Sequence, residues 1–269
     1  MRVVTWNLWW RHGPWRERGP AIASVLSELA PDVCGLQEVW GGADANQAAE
    51  LADRLGMHWC WAPLPVSARH QAEHGADIRI GNAVLSRWPI ISDARQPLPV
   101  ADGEQPRVAL HARIDAPAGP LPFFTTHLTH RHDASAERVA QVRVLAGFVA
   151  RHADGCAYPP VVTGDFNAEA DSDELRLLCG ILTAPAVPGL TLVDAWRFAE
   201  PGDPGFTWDR HRNPYLTEVA LFDARIDHIL VGPPRSGRGR VSGVRLAGTA
   251  PVAGVWPSDH FAVVADLTD

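Results

Sequence analysis

Short apolar runs alternate with amphipathic stretches along the whole chain. Residues 3–6 and 33–36 read as buried strands. Between them Ile22, Val25, Leu26 and Leu29 recur at the i, i+3, i+4, i+7 spacing of one helix face, which predicts a helix over 17–30 stopped by Pro31. Residues 45–55 predict a second helix. Strand-like runs follow at 80–85, 90–92, 107–114 and 121–126, and the Pro and Gly clusters between the later ones predict antiparallel neighbours. Residues 134–151 form a long helical pattern, with Val139, Val142, Leu145 and Val149 on one face and Asp133 as the expected cap. The run 160–163 predicts a strand and 173–182 a helix. Residues 226–231, 240–246 and 261–267 complete the strands, with 232–240 as a solvated turn. No linker or repeat interrupts this pattern, so residues 1–269 are expected to form a single α/β domain.

Composition narrows the picture. A chain of 269 residues can bury a core that needs neither disulfide nor metal to fold. Cys34, Cys60, Cys156 and Cys179 are scattered without C-x-x-C spacing and read as free thiols. No run of 18 apolar residues predicts a membrane span, and the first strand is too short for a secretory leader, so a cytoplasmic monomer is the expectation. The formal net charge is −7, and every cationic side chain apart from histidine is arginine. That balance argues against a general duplex-DNA binder, yet leaves room for a local basic cleft. Trp6, Trp9, Trp10, Trp15 and Trp40 crowd the first forty residues, where they either fill the core or line a groove.

The candidate chemistry gathers where apolar runs end. Gly164-Asp165-Phe166-Asn167 follows the strand-like run 160–163, and the i, i+2 spacing puts Asp165 and Asn167 on one side of an extended segment. Strand tips of this kind carry the sites of open α/β sheets. Asn7, Gln37-Glu38, Thr126-His127, Asp227 and Asp259-His260 repeat the arrangement. One strand-end Asp or Asn is ordinarily a turn or a cap. Five such clusters, with Asp227 and Asp259-His260 taken as one late pair, bear groups fit for a hard cation or a phosphate and point to chemistry. No G-x-S-x-G or P-loop signature is present, so water is the expected nucleophile.

In order, Thr5-Trp6-Asn7, Gln37-Glu38, the 81–87 run containing Asn82, Thr126-His127-Leu128, Gly164-Asp165-Phe166-Asn167, Arg225-Ile226-Asp227-His228 and Ser258-Asp259-His260 resemble the endonuclease/exonuclease/phosphatase superfamily of DNase I-like phosphoesterases. The resemblance implies a four-layer α/β sandwich, two mixed β-sheets packed face to face with helices outside. It also implies Mg²⁺, or Mn²⁺ in its place, held mainly by Glu38 with Asn7 and Asp259. Asp165 would position or deprotonate the attacking water, and Asn167 would hold a phosphate oxygen. His260, oriented by Asp227, would contact the scissile phosphate, with His127 as a second phosphate-binding or acid-base histidine. Asn82 would sit at the substrate, and Phe206 and Trp208 in Gly205-Phe206-Thr207-Trp208 resemble an aromatic loop bordering it.

The segments around Arg69 and around His130-Arg131-His132 are either solvated loops or a grip on a second anionic group through Arg69 or Arg131. His130 and His132 lack the thiolate that would suggest zinc. Arg138 and Gln141 are expected to brace the site's loops, and Asp194 to be structural. The expected substrate is a small or lipid-derived phosphoester. The alternatives are a DNA-repair or single-strand nuclease, with indoles stacking bases, and a non-catalytic binding module.

Overall fold

The computed structural model describes residues 1–269. Its first half runs β1 (Arg2–Asn7), α1 (Trp15–Leu29), β2 (Val33–Gly41), α2 (Gln47–Leu55), β3 (His58–Pro65), α3 (Ala68–His74) and β4 (Arg79–Ser86). The antiparallel run β5 (Ile90–Leu98), β6 (Arg107–Ala116) and β7 (Gly119–His127) follows, then α4 (Ser135–His152), β8 (Val161–Asp165) and α5 (Asp173–Cys179). The chain ends with β9 (Val193–Asp194), a 3-10 turn (Ala195–Phe198), β10 (Asp227–Val231), β11 (Val241–Ala247) and β12 (Ala262–Leu267). One sheet has the order β11-β12-β1-β2-β4-β3 and the other β5-β6-β7-β8-β10-β9.

Each sheet is antiparallel except for one central pair. β1 lies parallel to β2, with α1 as the crossover, and β7 lies parallel to β8, with α4 as the crossover. Parallel neighbours require such a crossover, and their carboxyl ends then open on the same edge. Adjacent residues on a strand face different apolar layers. Val3, Val33, Phe123, Val161 and Ile229 pack between the sheets. Val4, Cys34 and Leu36 turn outward onto α1 and α2, and Phe124, Val162 and Leu230 onto the layer containing Val142, Leu145 and Val149 of α4. Both faces are covered, so these strands read as continuous apolar runs. The expected four-layer sandwich of two mixed sheets is present.

The differences are local. Asp133 does not cap α4, whose N-cap position is Ala134 without a side-chain bond; Asp133 pairs with Arg131 instead. α5 ends at Cys179 because Gly180 turns left-handed (φ 66°). β3 and α3 escape the pattern. The two prolines of β3, Pro63 and Pro65, remove ladder donors, which an edge strand tolerates. β2 runs to Gly41 through a bulge between Leu36 and Val39. The cysteines are all unpaired, and Cys34 and Cys60 carry thiols raised by burial, Cys60 to about 12. Trp6, Trp10 and Trp40 are core residues. No helix is long and apolar enough to cross a membrane.

Candidate active site

The carboxyl ends of the two parallel pairs meet at one polar cluster. Strand register sets half of it: His127 on β7 and Asp227 on β10 both lie opposite Asp165 on β8. The other half comes from β1 and β2, where Asn7 ends the first strand and the bulge carries Glu38. Glu38 is left-handed (φ 52°), a conformation side chains other than glycine's avoid at a cost of about 1–3 kcal/mol. A bulge of this kind re-aims one side chain off the regular ladder. Here it leaves Glu38 next to Asn7, whose amide nitrogen lies 3.3 Å from Glu38 Oε1 and 3.0 Å from Asp165 Oδ2. The Asn7 oxygen accepts the Trp9 backbone N–H at 2.9 Å. Asn7 thus meets the carboxylates as a donor and links the two halves.

The 258–260 turn supplies the third part. Ser258 Oγ donates to the Asn7 carbonyl at 2.7 Å and accepts from the His260 N–H at 3.2 Å, while Asn213 Nδ2 donates to the carbonyls of Ser258 and Asp259. So fixed, His260 Nδ1 donates to Asp227 Oδ2 at 2.8 Å and points Nε2 at Asp165 Oδ2, 3.7 Å away. Burial alone would drive the proton off His260. Asp227, Asp165 and Asp259 outweigh that and hold the imidazole's affinity for its proton well above the usual value, so it is a cation. Asp227 is itself fully buried, and Thr207 Oγ1 fixes its backbone by accepting its N–H at 3.2 Å.

Asp165 is pushed up to about 7, by burial first and by Asp227 next, against the pull of His260 and the bonds from Asn7 and the Asn167 N–H. A carboxylate with its proton affinity near neutrality can take a proton from water and release it again. His127 lies 3.4 Å from Asp165 through Nε2 and 4.0 Å from Glu38 through Nδ1. Burial, then Arg107, depress its proton affinity well below normal, which favours its neutral imidazole.

The donor set fits a hard divalent cation. Asp259 is raised to about 7, by burial first, with the Glu38 charge adding to the rise. Two carboxylates that repel each other favour an oxygen-seeking ion between them. Asp165, Asp227 and His260 also offer three ligand atoms within 4.8 Å of one another. There, however, the imidazolium already supplies the positive charge.

The remaining expected residues are dispersed. Asn82 is buried beside Glu38 and His127, with Nδ2 donating to the Val108 carbonyl at 2.8 Å. Asn167 is left-handed (φ 48°) and donates to the Leu128 carbonyl at 3.2 Å. The Trp208 ring lies 4.8 Å from the His260 ring, edge-on, and Phe206 is half-buried. Arg69 points into solvent from α3, and Arg131 is tied to Asp133 and Glu104, so neither guanidinium joins the cluster. Arg138 and Gln141 do brace the adjoining loop: Arg138 pairs with Glu174 at 2.9 Å and Gln141 binds Thr129. Asp194 holds Arg225 at 2.7 Å and His228 at 3.1 Å.

Two contributors were not legible. Arg107 opens β6 beside Glu38, Asn82 and His127, and is buried without a carboxylate partner; its His130 contact is at 3.1 Å. Its only sequence signal was its place at the head of an apolar run. Arg18, on the first turns of α1, donates six bonds to the carbonyls of Leu8, Trp9, Trp10, His12 and Pro257. It thereby ties the loop after Asn7 to the turn bearing Asp259. A cavity of about 560 Å³ opens from Asn167 and Trp208 toward Phe222, with the exposed acids Glu169, Asp171 and Asp173 along its wall.

A family model described as the endonuclease/exonuclease/phosphatase family matches residues 4–260. The chain is 24% identical to tyrosyl-DNA phosphodiesterase 2 of Mus musculus, over 98% of this chain and 65% of that protein. It is 25% identical to nocturnin of Rattus norvegicus, over 94% of this chain and 59% of that protein. It therefore spans less than two thirds of the length of these relatives. Among solved structures, D. rerio TDP2 complexed with single strand DNA product has a TM-score of 0.75 at 19% identity, covering 100% of this chain and 99% of that one. A mannosyl-6-phosphatase of Bacteroides thetaiotaomicron has a TM-score of 0.72 at 20% identity, with both chains fully covered. These two likenesses are of fold.

Proposed function

The chain belongs to the endonuclease/exonuclease/phosphatase family, and from that premise we propose that it hydrolyses a phosphoester of a small or lipid-derived substrate by direct attack of water. The observation that carries the reading is Asp165, a base poised at about 7 between the neutral His127 and the cationic His260. In its ionised form Asp165 takes a proton from the attacking water, which Asn7 and His127 help to orient. The His260 imidazolium and the Arg107 guanidinium hold phosphate oxygens, and Asn167 adds its amide to the same charge. These groups are fixed beforehand by Asp227, Ser258 and the strand register, so little reorganisation accompanies charge development. Glu38 and Asp259 would hold a divalent cation, Mg²⁺ or Mn²⁺; bound there, it supplies a Lewis acid for the phosphate.

The cavity beside Asn167 and Trp208 supports the small-substrate reading. A volume of about 560 Å³ suits one compact group. Its one arginine, Arg138, is neutralised by Glu174, and its exposed acids would repel a long polyanion. The second reading, a single-strand nuclease, is favoured by the edge-on Trp208 at the site and by the likeness to tyrosyl-DNA phosphodiesterase 2.

The deciding experiment measures Mg²⁺- and Mn²⁺-dependent turnover of single-stranded DNA, RNA, sphingomyelin, inositol phosphates and simple phosphate esters at two salt concentrations. Turnover of a compact ester with little salt dependence is expected. A steep salt-dependent preference for strands would replace the first reading with the second, and activity persisting in EDTA would overturn the cation's place in either.

A further inference from the structure

The loop that leaves Asn7 also borders a second cavity, of about 530 Å³, an open cleft between α1 and α2. Arg11, Arg16 and Arg54 line it, and no carboxylate oxygen lies within 4.0 Å of any of the three. In a chain of net charge −7 this is an unneutralised cationic concentration. Arg11 is held by aromatic contacts: its guanidinium carbon sits 4.4 Å from the Trp15 ring centre and 4.3 Å from that of Trp40, against the corner where the two indoles meet edge-to-face. Arg16 stacks on Trp15 at 4.3 Å. Stacking of this kind orders a planar cation and leaves its edge N–H groups free for a partner. The Arg11 Nε is buried with no hydrogen-bond acceptor at all. A buried donor left without a partner costs about 1–3 kcal/mol, so an arrangement that keeps one is best explained by an incoming acceptor. Glu50 is the one carboxylate in the lining, and it makes no ion pair with the arginines.

We propose that this cavity is an anion site, separate from the catalytic cluster, that takes a phosphate or diphosphate group through Arg11, Arg16 and Arg54. Planar guanidinium forks match the oxygens of a tetrahedral dianion, and three of them suit a group carrying two or more charges. Arg11 lies four residues beyond Asn7 and Trp40 two residues beyond Glu38, so the ligand seats on the same two segments that carry part of the catalytic cluster.

The test is calorimetric titration with pyrophosphate in EDTA, which reads binding whether or not the protein hydrolyses anything. The wild type should bind one more pyrophosphate per chain than the R11M/R16Q/R54Q variant, in which Met keeps the packing against the two indoles. Glu50→Gln keeps all three arginines and should tighten that extra site about threefold, the size of removing one like charge several ångströms away in a wet cleft. Equal stoichiometry in wild type and triple variant would overturn the proposal. Should the triple variant fail to fold, an affinity unchanged by Glu50→Gln would overturn it instead. Hydrolysis of a simple aryl phosphodiester should be unaffected by either variant.

Discussion

At the scale of single residues, Glu38 concentrates the site's compromise between backbone and chemistry. Its left-handed conformation is uncomfortable for any side chain but costs glycine nothing. Glu38→Gly and Glu38→Ala should both lose metal-dependent hydrolysis of an artificial phosphodiester. Denaturant titration should nonetheless find the glycine variant more stable than the alanine one, by about 1 kcal/mol. Equal stabilities would mean that the bulge is not strained. Asp165 makes a prediction about pH. Its proton must leave before it can act as base, so kcat/KM should rise as pH increases through about 7 and fall only where His260 loses its proton, well above that. The Asp165→Asn variant should lose the rising limb together with most of its rate. His260 and Asp227 share one hydrogen bond, so the H260Q/D227N pair should be little worse than either single variant. Multiplicative losses would separate their roles. Most of this cluster was legible, because its members are polar residues at the ends of apolar runs. Arg107 was not, since nothing local distinguishes a strand-opening arginine that faces a site from one that faces water.

At the scale of elements, the sequence pattern served best where strands are buried on both faces and helices have one apolar side. Phe123-Phe124 and Val161-Val162 are examples, each residue filling a different layer. It failed at β3, whose prolines and exposed face carry no alternation, and at the start of α4, where Asp133 took an arginine instead of a backbone N–H. The loop between β1 and α1 was equally opaque, because its order comes from Arg18, a residue on the next helix. Replacing Arg18 with Met keeps the bulk but leaves the buried contacts to the Leu8, Trp10 and Pro257 carbonyls without their donor. We expect that to cost about 3 kcal/mol. In a chain of this length that is a fall in melting temperature on the order of 10 °C. Activity measured below the transition should fall as well, since Asn7 and Asp259 lose their common tether. A variant that melted like the wild type would show that the carbonyls are satisfied some other way.

At the scale of the whole molecule, Asp165 and Asp259 make stability depend on pH and on cations together. Both are raised to about 7 from the ordinary 3.8, so the stability gained by protonating them in the fold is complete below about 4 and lost as pH rises through 7. A divalent cation replaces those protons. Mg²⁺ should therefore raise the melting temperature more at pH 8 than at pH 5.5, and the difference should shrink in Asp259→Asn. An equal shift at both pH values would place the ion elsewhere. The order of strands has a separate consequence, for synthesis. β1 sits between β2 and β12, so one of its two edges is covered only by the last of the twelve strands. Until then a buried-type apolar strand stands open while the whole second sheet is being made, which is the circumstance in which chains pair with each other. Nascent copies stalled before residue 262 should thus depend on chaperones far more than copies extended past β12 do.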